Sequence, residues 1–271
     1  MWRRGTLTIA AVLVATGCAS NPTQTPAPTS THAHGAPSGD GVMAEAHGFR
    51  LTGVQLPERA GKPGTVSLEV LDSAGSPVTS MVRNQTKLLH LYVVRSDLSA
   101  FRHLHPEFRN GAWEASATLP SPGSYRVITE FSVKDAGHTD HVVLGAEAAL
   151  AGPQPARTPA ALRSSDGTVR VAVEGGGDVA STGRLSVRVT DRRGRPVKLG
   201  AYLGATAHVT GFHTQAGTMV HLHPVGVPEI ESDATVLTLH TGEIAAGPYV
   251  FFVQVRVDGF LHTLRAEAQL T

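Results

Sequence analysis

The chain of 271 residues contains two copies of one sequence pattern, and this duplication restricts its fold more than any other feature. In each copy a strand of alternating apolar and polar residues runs into Asp-x-x-Gly-x-Pro-Val, where glycine and proline favour a turn. A second shared segment opens a strand with Gly-x-Tyr. The matching pairs are residues 66–78 with 185–197, 121–131 with 245–255, and 144–150 with 264–270. The sequence therefore predicts a tandem duplication.

Short segments rich in β-branched residues, with turn signals every eight to twelve residues, indicate an all-β fold. Tyr125 and Tyr249 stand where immunoglobulin-like domains carry a tyrosine corner. We therefore predict two tandem immunoglobulin-like antiparallel β-sandwiches, over residues 43–150 and 166–271, with a proline-rich linker at 151–165. The strands expected in the first copy lie near residues 47–55, 63–72, 87–94, 100–106, 112–119, 123–133 and 138–150.

The first eighteen residues have the layout of a lipoprotein signal peptide. Arg3 and Arg4 precede a short apolar run at residues 7–15, and small residues then lead to Cys18, the only cysteine. We expect Cys18 to be lipidated, with palmitate among the acyl chains, so that the protein is anchored on the extracytoplasmic face of the cell membrane. An ordinary secretory signal followed by a free thiol is the alternative. Export by the general or the twin-arginine route stays open.

Composition predicts how the rest of the chain behaves. Residues 19–42 are rich in proline, threonine and serine and poor in large apolar residues, which is typical of a flexible tether. The formal net charge is +1, and removal of Arg3 and Arg4 takes it to about −1, so nucleic acid is not an expected partner. No motif for nucleophilic catalysis is present. We expect a monomer without enzymatic activity.

Histidines recur at the same spacing in both copies. His90, His103 and His105 read H-x12-H-x-H-P, and so do their counterparts in the second copy, His208, His221 and His223. A later histidine in each copy, His138 and His262, also occupies a matching place.

This spacing predicts that the three histidines of each copy converge. If Val94 faces Phe101 in the hairpin, His90 lies opposite His105, and paired residues project to the same side with β-carbons about 4.5–5.5 Å apart. His103, two residues before His105, shares that side. Apolar residues occupy the other side, so the histidines should point away from the main core. An assumed immunoglobulin-like strand order would bring His138 or His141 close to His90.

Three or four neutral imidazoles suit zinc, copper(II) or nickel. We therefore expect each copy to bind a transition-metal ion, copper or zinc. The first copy would use His90, His103 and His105, with His138 as a possible fourth ligand; the second would use His208, His221 and His223, with His262. The alternative is that these histidines form hydrogen bonds to loop backbone or at the interface between the domains.

The segments LLHLYVVRSDLSAFRHLHPEF and AYLGATAHVTGFH…MVHLHP resemble a group of bacterial, mostly actinobacterial, envelope proteins. These are secreted or lipid-anchored, carry tandem immunoglobulin-like β domains and are associated with heavy metals or uncharacterised. The resemblance covers residues 60–271, and it implies an envelope location and a connection with metals. The expected role is capture, buffering or handover of metal ions, with an envelope metal-handling protein as a possible partner. The other hypotheses are an adhesion or protein-interaction module and a copper redox enzyme.

Overall fold

The computed structural model describes residues 37–135, 137–153, 162–175, 179–242 and 244–271. The predicted signal peptide, its lipidated Cys18 and most of the predicted tether lie outside the described residues, as does most of the linker. Their assignments stay predictions from sequence.

The first repeat consists of two antiparallel sheets packed face to face. One sheet has the order β1-β2-β3-β7-β6 and the other the order β5-β4-β8-β9. The strands are β1 (Glu45–Ala46), β2 (Phe49–Gln55), β3 (Pro63–Leu71), β4 (Leu89–Arg95), β5 (Phe101–Leu104), β6 (Glu107–Arg109), β7 (Ala112–Thr118), β8 (Gly123–Asp135) and β9 (His138–Leu150).

The second repeat has the same plan. Its first sheet has the order β10-β11-β16-β15; in its second sheet β17 pairs with β13 and β18, β14 pairs with β13, and β12 adds a short pairing to β17. The strands are β10 (Val169–Glu174), β11 (Arg184–Asp191), β12 (Leu199–Gly200), β13 (Ala207–His213), β14 (Met219–Leu222), β15 (Glu229–Ile230), β16 (Thr235–His240), β17 (Gly247–Val257) and β18 (Phe260–Leu270). A four-residue helix, α1 (Val179–Thr182), precedes β11.

The prediction of two tandem immunoglobulin-like sandwiches is confirmed. The strand orders β2-β3-β7-β6 and β5-β4-β8-β9 follow the immunoglobulin plan of two sheets joined by crossing connections. Both tyrosine corners form as well: the hydroxyl of Tyr125 donates to the carbonyl of Ser121 at 2.7 Å, and that of Tyr249 donates to the carbonyl of Ala245 at 3.1 Å.

Alternation along the strands places a separate apolar core in each sandwich. The strand β3 buries Val66, Leu68 and Val70 and leaves the residues between them partly exposed, as the period of two requires. In the first repeat Trp113 and Tyr125 belong to this core, and in the second repeat Phe251 does.

A third apolar cluster lies between the two repeats. It is formed by the outer faces of the β4-containing and β13-containing sheets, where the Phe101 and Phe252 rings stack with centroids 4.4 Å apart. The buried members are Tyr92, Val94, Phe101, Ile128, Val143, Phe212, Met219, Val250 and Phe252. In each sandwich, the outer face of this one sheet is thus covered by the other repeat.

The last residues of the predicted tether are bonded to both repeats. The carbonyl of Ser38 accepts from the amide of Val143 at 3.0 Å, and the carbonyl of Asp40 accepts from the amide of Met219 at 2.8 Å. The approach is so close that a β-carbon on Gly145 would lie 1.8 Å from the carbonyl oxygen of Gly41. Composition predicted that residues 37–42 belong to the tether, because they contain few large side chains. In the structure, backbone groups of this segment bond to β9 and so extend its sheet.

None of the helices in the described part of the chain has the length and apolar character needed to cross a membrane.

Candidate metal centre

The two hairpins that carry the repeated histidines have the predicted register. In the first repeat Val94 pairs with Phe101 and Tyr92 with His103. In the second repeat Phe212 pairs with Met219 and Thr210 with His221. Because a shift of one residue would turn every side chain of a strand to the opposite face, this register decides which face carries the imidazoles.

The first half-site is formed by His90, His103 and His105, which offer one ring nitrogen each within 4.8 Å of one another. The Nδ1 atom of His90 lies 3.0 Å from Nε2 of His103, and Nε2 of His90 lies 3.0 Å from the carbonyl oxygen of Asn84. A carbonyl can only accept, so His90 carries its proton on Nε2 and has a free lone pair on Nδ1. The Nε2 atom of His105 is buried and has no hydrogen-bond partner.

The equivalent histidines of the second repeat, His208, His221 and His223, form the second half-site around Nδ1 of His208. The Nδ1 atom of His208 lies 3.3 Å from Nε2 of His221 and 3.1 Å from Nε2 of His223. Its Nε2 atom donates to the carbonyl of Tyr202 at 3.0 Å. His208 therefore also keeps the lone pair of Nδ1 directed at its neighbours.

The two half-sites meet between the repeats as one cluster of six imidazoles. His103, His208 and His221 offer nitrogens that all lie within 4.8 Å of one another. The ring centroids of His90 and His221 are 5.5 Å apart, and those of the equivalent pair, His208 and His103, are 5.6 Å apart. The sequence predicted a separate site in each copy; the structure joins them, because the histidine face of each sheet packs against that of the other repeat.

Polar side chains on β8 and β17 hold the cluster from the opposite repeat. Glu130 pairs with His90 across β4 and β8, and Gln254 occupies the equivalent place opposite His208. The Oε2 atom of Glu130 accepts from Nδ1 of His221 at 2.7 Å. The side-chain oxygen assigned to Gln254 lies 2.8 Å from Nδ1 of His103.

Glu130 is a buried carboxylate with three donors around it. Its Oε1 atom accepts from Nε2 of His141 at 2.7 Å, and its Oε2 atom accepts a short hydrogen bond from the hydroxyl of Tyr92 in addition to the bond from His221. Burial alone would raise the pKa of Glu130, but His221 and His141 outweigh it and hold this pKa well below the usual range. Glu130 also raises the pKa of His141 against the effect of burial.

Burial keeps most of the clustered imidazoles neutral. It lowers the pKa of His90 to about 4, although Glu130 opposes the shift. Burial and then the neighbouring histidines lower the pKa of His105 and of His208 to about 3. The same causes lower the pKa values of His103 and His223 well below the ordinary value. A neutral imidazole is the form that binds a metal ion.

The remaining predicted ligands lie apart from these groups. His138 is exposed at the start of β9. His262 donates from Nδ1 to the carboxylate of Asp166 at 2.6 Å. Of the two histidines that the assumed strand order brought towards His90, His141 reaches the cluster through Glu130 and His138 does not.

Sequence reasoning missed Glu130, Gln254 and Tyr92. A signal was available for the first two, since each stands five residues after the tyrosine of the matched Gly-x-Tyr segments. A polar residue at that place in both copies, flanked by apolar residues on both sides in β17, indicates a buried polar function. Tyr92 has no polar aromatic counterpart, because Thr210 stands there in the second copy.

The nitrogen spacings fit a bound transition metal. Two nitrogens that each lie about 2.0–2.1 Å from one ion are about 3–3.4 Å apart for bond angles between a right angle and the tetrahedral value. The His90–His103, His208–His221 and His208–His223 nitrogen pairs are separated by 3.0, 3.3 and 3.1 Å. The carboxylate behind His221 is the kind of outer group that orients metal-binding histidines.

A family model described as "Domain of unknown function (DUF8832)" matches the chain twice, over residues 44–148 and 163–271. The protein belongs to the DUF8832 family. The two matched ranges correspond to the two sandwiches of this DUF8832 protein. A search of curated proteins finds no match.

Solved structures similar to this DUF8832 protein include the BSP domain of a biofilm associated protein, at 12% identity and a TM-score of 0.21, with 82% of this chain and 29% of that chain covered. The present chain therefore spans less than a third of that structure. The titin Ig tandem domains A164-A165 are similar at 14% identity and a TM-score of 0.19, with 79% and 90% of the two chains covered.

Proposed function

We propose that this protein captures a transition-metal ion, copper or zinc, on the histidine cluster between its two repeats, at the outer face of the cell membrane. The observation that carries the proposal is the convergence of six imidazoles, five of which have a ring nitrogen 3.0–3.3 Å from that of a neighbouring histidine. Buried polar groups are normally hydrogen-bonded, yet Nε2 of His105 is buried without a partner. A metal ion would satisfy this nitrogen.

The proton positions around His221 support a cation. Nδ1 of His221 donates to the carboxylate of Glu130, so a neutral His221 has a lone pair on Nε2. That lone pair faces the Nδ1 lone pair of His208 at 3.3 Å. Two acceptors at this distance repel each other unless a proton or a metal ion lies between them, and a bound metal ion would accept both lone pairs.

The proposed location follows from the N-terminal sequence. Arg3, Arg4, the apolar run at residues 7–15 and the small residues before Cys18 have the order of a lipoprotein signal. A lipid on Cys18 would keep the repeats beside the membrane, where the protein would take up or hand over metal ions.

Titration of the full chain, purified without a tag, with Cu(II) and with Zn(II) tests the proposal. We expect wild-type protein to bind either ion, and His105→Ala combined with His223→Ala to weaken binding at least about tenfold, because each half-site loses a ligand. His138→Ala combined with His262→Ala is the matched control, since both lie outside the cluster. Absence of metal binding by wild-type protein, or equal effects of the two double variants, would overturn the proposal.

A second candidate is a protein-interaction module in which the histidines only join the repeats. The bonds from His90 to Asn84 and from His208 to Tyr202 favour it, because they satisfy one nitrogen of each ring without a metal. The titration separates the two functions, since an interaction module needs no metal and would retain its fold and partner binding after treatment with a chelator.

A further inference from the structure

The two half-sites consist of equivalent histidines, but the side chain that lies behind one histidine of each half-site, here called its outer partner, differs. Glu130 and Gln254 occupy equivalent places on β8 and β17, and each contacts a histidine of the other repeat. His221 faces the carboxylate of Glu130 at 2.7 Å, whereas His103 faces the carboxamide of Gln254 at 2.8 Å. Neither repeat alone contains a half-site with its outer partner.

The carboxylate leaves His221 one neutral arrangement. Glu130 accepts from Tyr92 and His141 as well, and its side chain is only 3% exposed, so it is an acceptor-only group fixed by three donors. Nδ1 of His221 also lies 2.7 Å from the hydroxyl of Tyr92, which donates to Glu130. A neutral His221, 1% exposed in its side chain, therefore places its proton on Nδ1, where it faces the carboxylate, and directs the Nε2 lone pair at His208.

The carboxamide does not constrain His103 in this way. An amide has both a donor and an acceptor end, and the two ends exchange by rotation of the group. If the amide nitrogen faces Nδ1 of His103, the Nε2 proton of His103 can be donated to Nδ1 of His90 at 3.0 Å. The pair in the first half-site can therefore form a hydrogen bond without a metal ion.

Glu130 and Gln254 also differ in charge and in the residues around them. Besides His221, the carboxylate of Glu130 is bonded to Tyr92 and His141, whereas the neutral amide of Gln254 lies 3.2 Å from the hydroxyl of Thr263. Among the described residues, only the second half-site has a ligand, His221, that is hydrogen-bonded to this buried carboxylate, and such a bond strengthens the donor character of the imidazole.

We propose that Glu130 is a positioning residue that makes the half-site of His208, His221 and His223 the tighter of the two, so that this half-site fills first. This inference rests on the proposed metal binding and deepens it. The two repeats then act as unequal partners: the first contributes the carboxylate, and the second contributes the ligands that the carboxylate orients.

Reciprocal exchange of the two outer groups tests the inference in the full chain. His105→Ala isolates the second half-site and His223→Ala isolates the first. In competition titrations of Cu(II) against a chromogenic chelator, we expect Glu130→Gln to weaken the second half-site about 10- to 100-fold and the first by less than about threefold. Gln254→Glu should strengthen the first half-site about tenfold and leave the second nearly unchanged.

A measurement on the metal-free protein checks the orienting role directly. The ring ¹⁵N shifts of His221 should report a proton on Nδ1 in the wild type and a mixture of tautomers in Glu130→Gln. A purely structural role for Glu130 would leave the tautomer unchanged. A wild-type His221 with its proton on Nε2 would overturn the inference.

The outcomes separate the two proposals. If the wild type binds no Cu(II), the proposed function fails and the inference fails with it. If the wild type binds Cu(II) but Glu130→Gln weakens both half-sites equally, or neither, metal capture stands and the inference alone is overturned. Should Glu130→Gln fail to fold, Gln254→Glu decides by the same comparison, because an unchanged first half-site would contradict the role of the carboxylate.

Discussion

Burial and hydrogen bonding together determine the protonation state of individual imidazoles in this protein. His90 and His208 are fully buried, and each donates one proton to a backbone carbonyl six residues earlier in the chain. Burial disfavours the charged ring, so these residues stay neutral at pH values where an exposed histidine would begin to take up a proton. The neutral state that would suit these rings to a metal ion also makes the stability of the fold sensitive to acid.

We predict that the metal-free protein loses stability between pH 6.5 and pH 4. The pKa of His90 falls from 6.5 to about 4 on folding, so the unfolded chain binds more protons than the folded chain in this range. Stability therefore rises with pH, and His90 alone accounts for roughly 3 kcal/mol across the window. Urea denaturation at several pH values with a chelator present measures the effect. An unfolding free energy that stays constant over this range would contradict the lowered pKa.

At the scale of elements, one strand contributes side chains to two different apolar clusters. In β17, Phe251 points into the core of the second repeat, and the next residue, Phe252, points into the cluster between the repeats. Both faces of β17 are buried because one face of its sheet packs in the core of the second repeat and the other face packs against the first repeat. This explains why β13 and β17 are buried along most of their length instead of alternating with solvent.

We predict that Phe252→Ala and Phe251→Ala separate these two roles. Each removes a fully buried ring and should cost about 3–5 kcal/mol of unfolding free energy. Phe252→Ala should also weaken Cu(II) binding, because its stacking partner Phe101 holds the first hairpin against the second repeat. Phe251→Ala is the matched control and should bind Cu(II) normally under conditions where it is folded. Equal Cu(II) affinities of the two folded variants would show that the interface does not position the cluster.

At the scale of the whole molecule, the histidine cluster lies between the repeats and so couples them. The contact between Glu130 and His221, and that between Gln254 and His103, cross from one repeat to the other. A ligand that binds both repeats in their folded state stabilises both, because binding is lost when either one unfolds.

We predict that metal bound at the cluster stabilises the first repeat as well as the second. Trp113 lies in the core of the first repeat, so its fluorescence reports the unfolding of that repeat. At a free Zn(II) concentration a hundred times the Kd, the unfolding free energy followed by Trp113 should rise by about 2.7 kcal/mol. The His105→Ala variant, in which the second half-site keeps its ligands, should retain part of this increase. An increase seen in circular dichroism but absent from the Trp113 signal would restrict the site to the second repeat.

Much of the fold could be predicted from sequence because its signals are local. The seven strands expected in the first copy correspond to β2–β5 and β7–β9 of the structure, and Val94 pairs with Phe101 as assumed from the sequence. The short strands β1 and β6 were not predicted, since pieces of two and three residues have no detectable period.

The sequence by itself determined the duplication, the sandwich fold and the three histidines on one face of each hairpin, since turn residues and a period of two specify these within a few dozen residues. Only the tertiary structure decided that the two faces meet, that six imidazoles form one cluster, and that Glu130 and His141 stand behind it while His138 and His262 do not. The physical reason is that contacts between the repeats join residues as far apart as Glu130 and His221. Such contacts depend on how two complete sheets bury their outer faces, which no local pattern encodes.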